Sequence, residues 1–183
     1  MTHSDDTNSD DPNSDDPNSG NTAEPPAHGA RLAHIVLDGE ALTRLSDVQE
    51  ADRVQAVADL VAENRFAPVA VAEPGPYALH LSIFEGRLVF DIRDLADRPL
   101  SAIVLALGPF RRLIKDYQLL VDSYTLAVEE GREARIQAID MGRRGLHNEG
   151  ADLMIERLSG KAEIDFETAR RLFTLVCVLH QRI

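Results

Sequence analysis

The hydrophobic period of this chain changes at Gly108, and that change restricts its fold more than any other feature. Between Tyr77 and Leu107 the apolar residues follow a strand pattern, and beyond Gly108 they recur every third or fourth position. A period of two marks strands that bury one face, and a period near 3.6 marks helices that bury one stripe. Strands followed by helices predict an α+β domain: a small antiparallel sheet, made of a hairpin and neighbouring strands, covered by a C-terminal layer of three or more helices. A doubly wound nucleotide-binding sheet would alternate the two periods and is excluded.

The first element predicted is a strand from Leu32 to Leu37, ended by Asp38-Gly39. A helix follows, with Ser46 as its cap and Gln49 as the return half of a capping box. Val48, Ala51, Val54, Val57, Ala58 and Val61 supply its apolar stripe. Tyr77 to Asp94 reads as a hairpin turning at Glu85-Gly86, which sets Leu81 opposite Phe90 on the buried side and His80 opposite Asp91 on the other. Leu100 to Leu107 is apolar on both faces, as a central or covered strand would be. Pro109 then opens a long helix that Gly131 stops. A second helical stretch spans about Glu133 to Leu158, interrupted by Gly142, Gly145 and Gly150, and Asp165 caps a last helix.

Residues 1–30 stand apart from this pattern. They hold seven acids, no Lys or Arg, and no Val, Ile, Leu or Phe. Asp5 to Ser19 is three Asp-Asp-led pentapeptides in succession. Such a segment buries too little apolar surface to offset the entropy of ordering it, so residues 1–30 are expected to be a disordered acidic tail and residues 31–183 a single domain. The adjacent acid pairs, without a central Gly and closing Glu, do not match a calcium loop. The start has neither the basic nor the apolar region of a signal peptide, and no apolar run approaches the roughly 18 residues of a membrane span. A cytoplasmic protein without a membrane partner is expected. The net charge of -12 and residues 108–183, with twelve basic and twelve acidic side chains, argue against nucleic acid.

Five segments carry a resemblance. They are Pro76 to Ile83, Arg87 to Asp94, Pro109 to Tyr117, Ala138 to Gly150 and Ala169 to His180, the fourth reading Ala-Ile-Asp-Met-Gly-Arg-Arg-Gly-Leu-His-Asn-Glu-Gly. Together they resemble an uncharacterised family of small cytoplasmic bacterial proteins, mainly alphaproteobacterial, over roughly Arg31 to Ile183. The resemblance implies a bacterial, cytoplasmic protein and transfers no activity.

Two clusters attract a functional reading. Arg111, Arg112 and Lys115 crowd the start of the long helix, where the dipole disfavours cations, and a bound phosphate or carboxylate would relieve that conflict. The alternative is internal pairing, Arg112 with Asp116 four residues on and the others with acids elsewhere. In the glycine-rich stretch, Arg143 and His147 share a helical face, and Arg144 lies between Asp140 and Asn148. Three glycines in nine positions cost about 1 kcal/mol each in a helix, which indicates a close helix crossing, a break, or a ligand against the backbone. Arg143 and Arg144 can hold an anion there while His147 or Glu149 moves a proton. The alternative is a solvated charged face on a glycine-lightened crossing.

Other constellations are weaker. His147 and Glu149, two apart on a helix, diverge by about 200° and lack a second His or a Cys pair, so no metal site is expected. No cofactor is implied. His80, Asp91 and Ser82 do not surround a nucleophile elbow. Cys177 and His180 fall on the last helix as a core thiol and a terminal-turn imidazole. Arginine outnumbers lysine seventeen to two. Two readings remain open: a non-catalytic interaction or regulatory module with a protein partner, or a small enzyme or sensor of a phosphorylated or carboxylated metabolite. Convergence of the two Arg clusters on one cavity would favour the second.

Overall fold

The computed structural model describes residues 29–180, so the expectation of disorder for the tail lies, up to residue 28, outside the described residues. The elements are β1 (Leu32–Asp38), α1 (Asp47–Ala62), β2 (Phe66–Pro68), β3 (Tyr77–Phe84), β4 (Arg87–Arg93), β5 (Pro99–Ala106), α2 (Arg111–Glu129), α3 (Glu133–Leu158), β6 (Ala162–Ile164) and α4 (Phe166–Leu179). Short 3-10 turns precede α1 and α2. The class is α+β, with a four-stranded sheet under a layer of helices drawn mostly from the C-terminal half.

The hairpin forms in the expected register, with Leu81 opposite Phe90 and His80 opposite Asp91. Glu85 and Gly86 turn it with φ of 47° and 71°, the two positive values that a type I′ turn requires. Leu79, Leu81, Leu88, Phe90 and Ile92 are fully buried on the face that meets the helices. Each contributes on the order of 1.5–3 kcal/mol by leaving water.

Two expectations for the sheet need correction. The strand order is β1-β3-β4-β5, and β1 pairs with β3 in parallel. The reason is connectivity: α1 separates the two strands, and a helical crossover returns the chain in the same direction. β5 is an edge strand rather than a central or covered one. It buries Ile103 and Leu105 and leaves Ala102, Val104 and Ala106 exposed. Small side chains at two of those three positions keep the apolar area facing water modest.

The helix ends follow the sequence signals. Ser46 and Gln49 make the reciprocal capping box of α1, and Asp165 accepts from the Thr168 N–H at the start of α4. After α2, the N–H groups of Gly131 and Arg132 donate to the carbonyls of Val128 and Ala127, with Gly131 at φ 65°. This is a Schellman motif, which turns the chain directly into α3.

The apolar stripe predicted for α1 is only partly the buried one: Val48 and Val57 pack against the core, and the other four residues do not. Ala51, Val54, Ala58 and Val61 face outward, whereas Ala56 and Leu60 are buried and Asp52 and Asp59 turn inward with them. Tertiary partners decide the face, as the ion pairs of Asp52 and Asp59 described below show.

α3 runs unbroken for 26 residues through all three of its glycines. Only Gly150 sits where a neighbour forbids a side chain: a Cβ there would run into the ring of Phe173, itself fully buried on α4. Gly142 has ordinary clearance from Leu120, and Gly145 faces open space. Gly150→Ala is therefore expected to lower the melting temperature, since overpacking a tight crossing costs about 1–3 kcal/mol. Gly145→Ala should raise it, by the helix propensity gain of up to about 1 kcal/mol. Thermal unfolding of the two variants checks the pair, and equal shifts would contradict this account of the crossing.

Candidate functional site

A polar cavity lies between α1, α3 and α4. Its volume is about 290 Å³, and its wall includes Asp52, Asp59, Asp140, Arg143, Arg144, His147, Arg170 and Arg171. Arg143, Arg144 and His147, singled out in the sequence, thus meet a second arginine pair from α4 and two aspartates from α1.

Asp52 organises the inner wall. Arg143 Nη2 approaches its two carboxylate oxygens at 2.5 and 2.7 Å, and the Tyr117 hydroxyl donates to Oδ2 at 2.8 Å. Both members of the Arg143–Asp52 pair keep less than a fifth of their side-chain surface exposed. Burial and the adjacent carboxylate push the Tyr117 phenol far above its ordinary range, so it stays protonated and remains a donor. Arg143 also lies over the Tyr124 ring, 5.8 Å from its centre.

His147 is buried between two aromatic rings, edge-to-face with Tyr117 at 5.9 Å and with Phe173 at 5.8 Å between ring centres. Its Nδ1 lies 2.7 Å from the Arg143 carbonyl oxygen. A carbonyl only accepts, which assigns the proton to Nδ1. Burial lowers the imidazole pKa, so the ring is neutral and Nε2 carries a lone pair with no partner among the described residues.

The remaining charges divide into paired and unpaired. Arg171 Nε lies 3.2 Å from Asp59, and its Nη1 bonds Glu167 at 2.5 Å. The Nε is within ion-pairing reach of Asp59 but not aligned to donate to it. Gln55 donates to the other Asp59 oxygen at 2.7 Å. Arg144, exposed, and Arg170, half-buried, have no acidic partner among the described residues. The Nε of Arg170 is buried and without a hydrogen bond. Asp140 is half-buried and also unpaired among the described residues, although it precedes Arg144 by one helical turn.

The α2 cluster does not line this cavity. Arg112 pairs with Asp116 at 3.3 Å, as the internal-pairing alternative expects, and reaches Glu149 across to α3. Arg112 and Glu149 line a shallow groove on another side of α3, with Gly142 and Gly145. Glu149 is thereby separated from His147. Arg111 and Lys115 are exposed and pair with no acid among the described residues. The two Arg clusters of the sequence do not converge.

On the outer face of the sheet, His80 Nε2 lies 3.1 Å from Asp97, and Asp91 binds Arg93 at 2.7 Å. The set of His80, Asp91 and Ser82 is therefore not assembled. Cys177 is fully buried, and burial holds its thiol well above the usual range. No group of three or more metal-ligating side chains occurs among the described residues.

Asp52, Asp59, Arg170 and Arg171 are the residues that the sequence reading missed. A usable signal existed for α4: adjacent arginines stand within a helix rich in buried apolar residues, between Ala169 and Leu172. For α1 the signal is hidden, because Val54 and Val61 widen the apparent apolar face toward solvent.

The profile of the Uncharacterised protein family (UPF0262) matches residues 29–182. The chain belongs to this family. A UPF0262 protein of Granulibacter bethesdensis is 70% identical over 164 residues, which cover 86% of this chain and 93% of the relative. One of Acidiphilium cryptum is 63% identical over 156 residues (83% and 93%), and one of Agrobacterium fabrum is 49% identical over 152 residues (83% and 96%). The family assigns no function to its members. No solved structure matches the chain. No helix among the described residues is long and apolar enough to cross a membrane.

The environment of His147 sets a pH dependence. The unfolded imidazole takes up a proton near its ordinary 6.5, while the folded ring, with its lowered pKa, refuses it. Stability is therefore full above about pH 6.5 and falls as the pH drops toward the folded value. His180, also lowered by burial, contributes in the same sense. Chemical denaturation between pH 7.5 and 5.5 should show this slope, reduced but not abolished in His147→Gln. An unchanged slope in the variant would refute the assignment.

Proposed function

We propose that this protein is a non-catalytic regulatory module of the bacterial cytoplasm whose ligand is a small phosphorylated or carboxylated anion, held between α1, α3 and α4. The observation that carries the reading is the pair of guanidinium groups, Arg144 and Arg170, that line one cavity without a carboxylate partner among the described residues. A half-buried guanidinium with an unbonded Nε is costly to leave unmatched, and an anion offsets that cost with charge-assisted hydrogen bonds. Arginine suits the task because its planar fork matches phosphate and carboxylate oxygens. The cavity is close to the lower end of known ligand sites, about 300 Å³, which favours a small metabolite over a nucleotide. A single buried thiol suits a reducing cytoplasm. A protein partner that senses the occupied state completes the proposal.

A catalytic use of the same cavity rests on one observation, the lone pair on His147 Nε2 in its wall. Incubating the protein with its bound ligand separates the two readings. A regulator returns the ligand chemically unchanged, and a product of proton transfer or hydrolysis would support the enzyme.

The anion site itself is tested by thermal shift with inorganic phosphate and a panel of small dicarboxylates, with and without an amino group. A ligand at 100 times its Kd stabilises by about 2.7 kcal/mol, equivalent to roughly 5–10 °C for a domain of this size. Arg144→Ala with Arg170→Ala should abolish the shift while leaving the unliganded melting temperature within about 2 °C. Absence of any shift in the wild-type protein would defeat the proposal.

A further inference from the structure

The charges around the cavity do more than attract an anion, because they are of both signs. Arg143 is matched by Asp52 and Arg171 by Asp59 and Glu167. The side chains left over are Arg144, Arg170 and Asp140, two cations and one anion, with neutral His147 beside them. A complementary ligand carries two anionic groups and one cationic group, for a net charge of -1.

Asp140 is the informative member. It stands half-buried in an arginine-rich wall, one turn from Arg144, and pairs with neither Arg144 nor any other described residue. For a plain phosphate or dicarboxylate it is a liability, since its carboxylate repels the ligand that the two arginines attract. For a ligand with an ammonium group it becomes the counterion. His147 Nε2, left as an acceptor by the Nδ1 bond to the Arg143 carbonyl, offers a second seat for the three N–H donors of an ammonium. Size agrees: at about 290 Å³ the cavity lies at the small end of ligand sites, which suits a small metabolite.

Resting on the anion-binding reading above, we infer that the ligand is an acidic amino acid: two carboxylates on Arg144 and Arg170, and the ammonium between Asp140 and His147 Nε2. Aspartate and glutamate have this charge pattern and about this size. The inference names the class and leaves the choice between the two to measurement.

L-aspartate, L-malate and succinate share one four-carbon skeleton and two carboxylates, and differ only in ammonium, hydroxyl or hydrogen at a single carbon. Attraction to cations alone would rank succinate and malate, each with net charge about -2 at pH 7.5, ahead of aspartate, with about -1. The inference predicts the opposite. Calorimetric titration of the full chain should find aspartate bound at least about tenfold more tightly than succinate, with malate between them, as expected for one charge-assisted hydrogen bond. Asp140→Asn, nearly isosteric and checked for an unchanged thermal melt, should remove the advantage of aspartate and leave succinate bound at least as well as before. L-glutamate against glutarate repeats the comparison one methylene longer. Binding of succinate equal to or tighter than aspartate, with the same order for glutarate and glutamate, overturns the inference while the anion site stands. An aspartate advantage that survives Asp140→Asn overturns it equally. Failure of all five compounds and of inorganic phosphate to bind removes the underlying site as well.

Discussion

Asp52 accepts from two other helices at once, from Arg143 on α3 and from Tyr117 on α2, and the helical layer is arranged around that carboxylate. Ions removed from water this far need nearly all their hydrogen-bonding capacity satisfied, or the interior loses more in desolvation than it gains in attraction. Here the carboxylate holds Arg143 and the phenol of Tyr117, while the face of Tyr124 lies against the guanidinium. That requirement fixes the rotation of α1 about its axis. It also aligns the first of two inward-facing aspartates, and Asp59 lies two turns further along the same face, where Arg171 meets it. The cavity wall is thus a by-product of satisfying one buried charge, and its position follows from the packing rather than from any loop.

The same arrangement explains the glycine at 150. α3 must approach α4 closely enough for His147 to lie against Phe173, and one turn later the Phe173 ring leaves no room for a Cβ at position 150. Phe173 therefore serves two contacts, an edge-to-face contact with the imidazole and the gap left by a missing Cβ. Gly142 and Gly145 have no such neighbour, although they share one motif with Gly150. Glycines that look alike in sequence thus have different causes, and for Gly145 the structure offers no packing reason.

Features set by residues a few positions apart were legible in the sequence: the hairpin register with its Glu85-Gly86 turn, the capping box at Ser46, the Asp165 cap and the stop at Gly131. Each depends on groups only a few residues apart along the chain. What escaped depends on distant pairing. β1 lies parallel to β3 because of how α1 crosses over, and β5 is at the edge because nothing adds beyond it among the described residues. The inward face of α1 is legible only in part: Val48 and Val57 lie on it, whereas Val54 and Val61 face water and Ala56 and Leu60 are buried in their place. Half of the cavity was legible: Arg143, Arg144 and His147 are close in sequence, whereas Asp52 is 91 positions from its partner Arg143.

Global acidity and local basicity act over different distances in this molecule. Seven acids fall in residues 1–30, so residues 31–183 carry 24 acids and 19 bases, a balance of -5. At physiological salt a charge is screened within about 8 Å, so an approaching anion senses the residual acidity only weakly until it reaches the cavity mouth. Inside, screening weakens and the nearest side chains dominate. Arg144 is exposed at that mouth, while Arg170, half-buried with its Nε sealed from solvent, has the stronger need of a counterion. A mildly acidic domain can therefore still present one recess in which positive charge dominates locally.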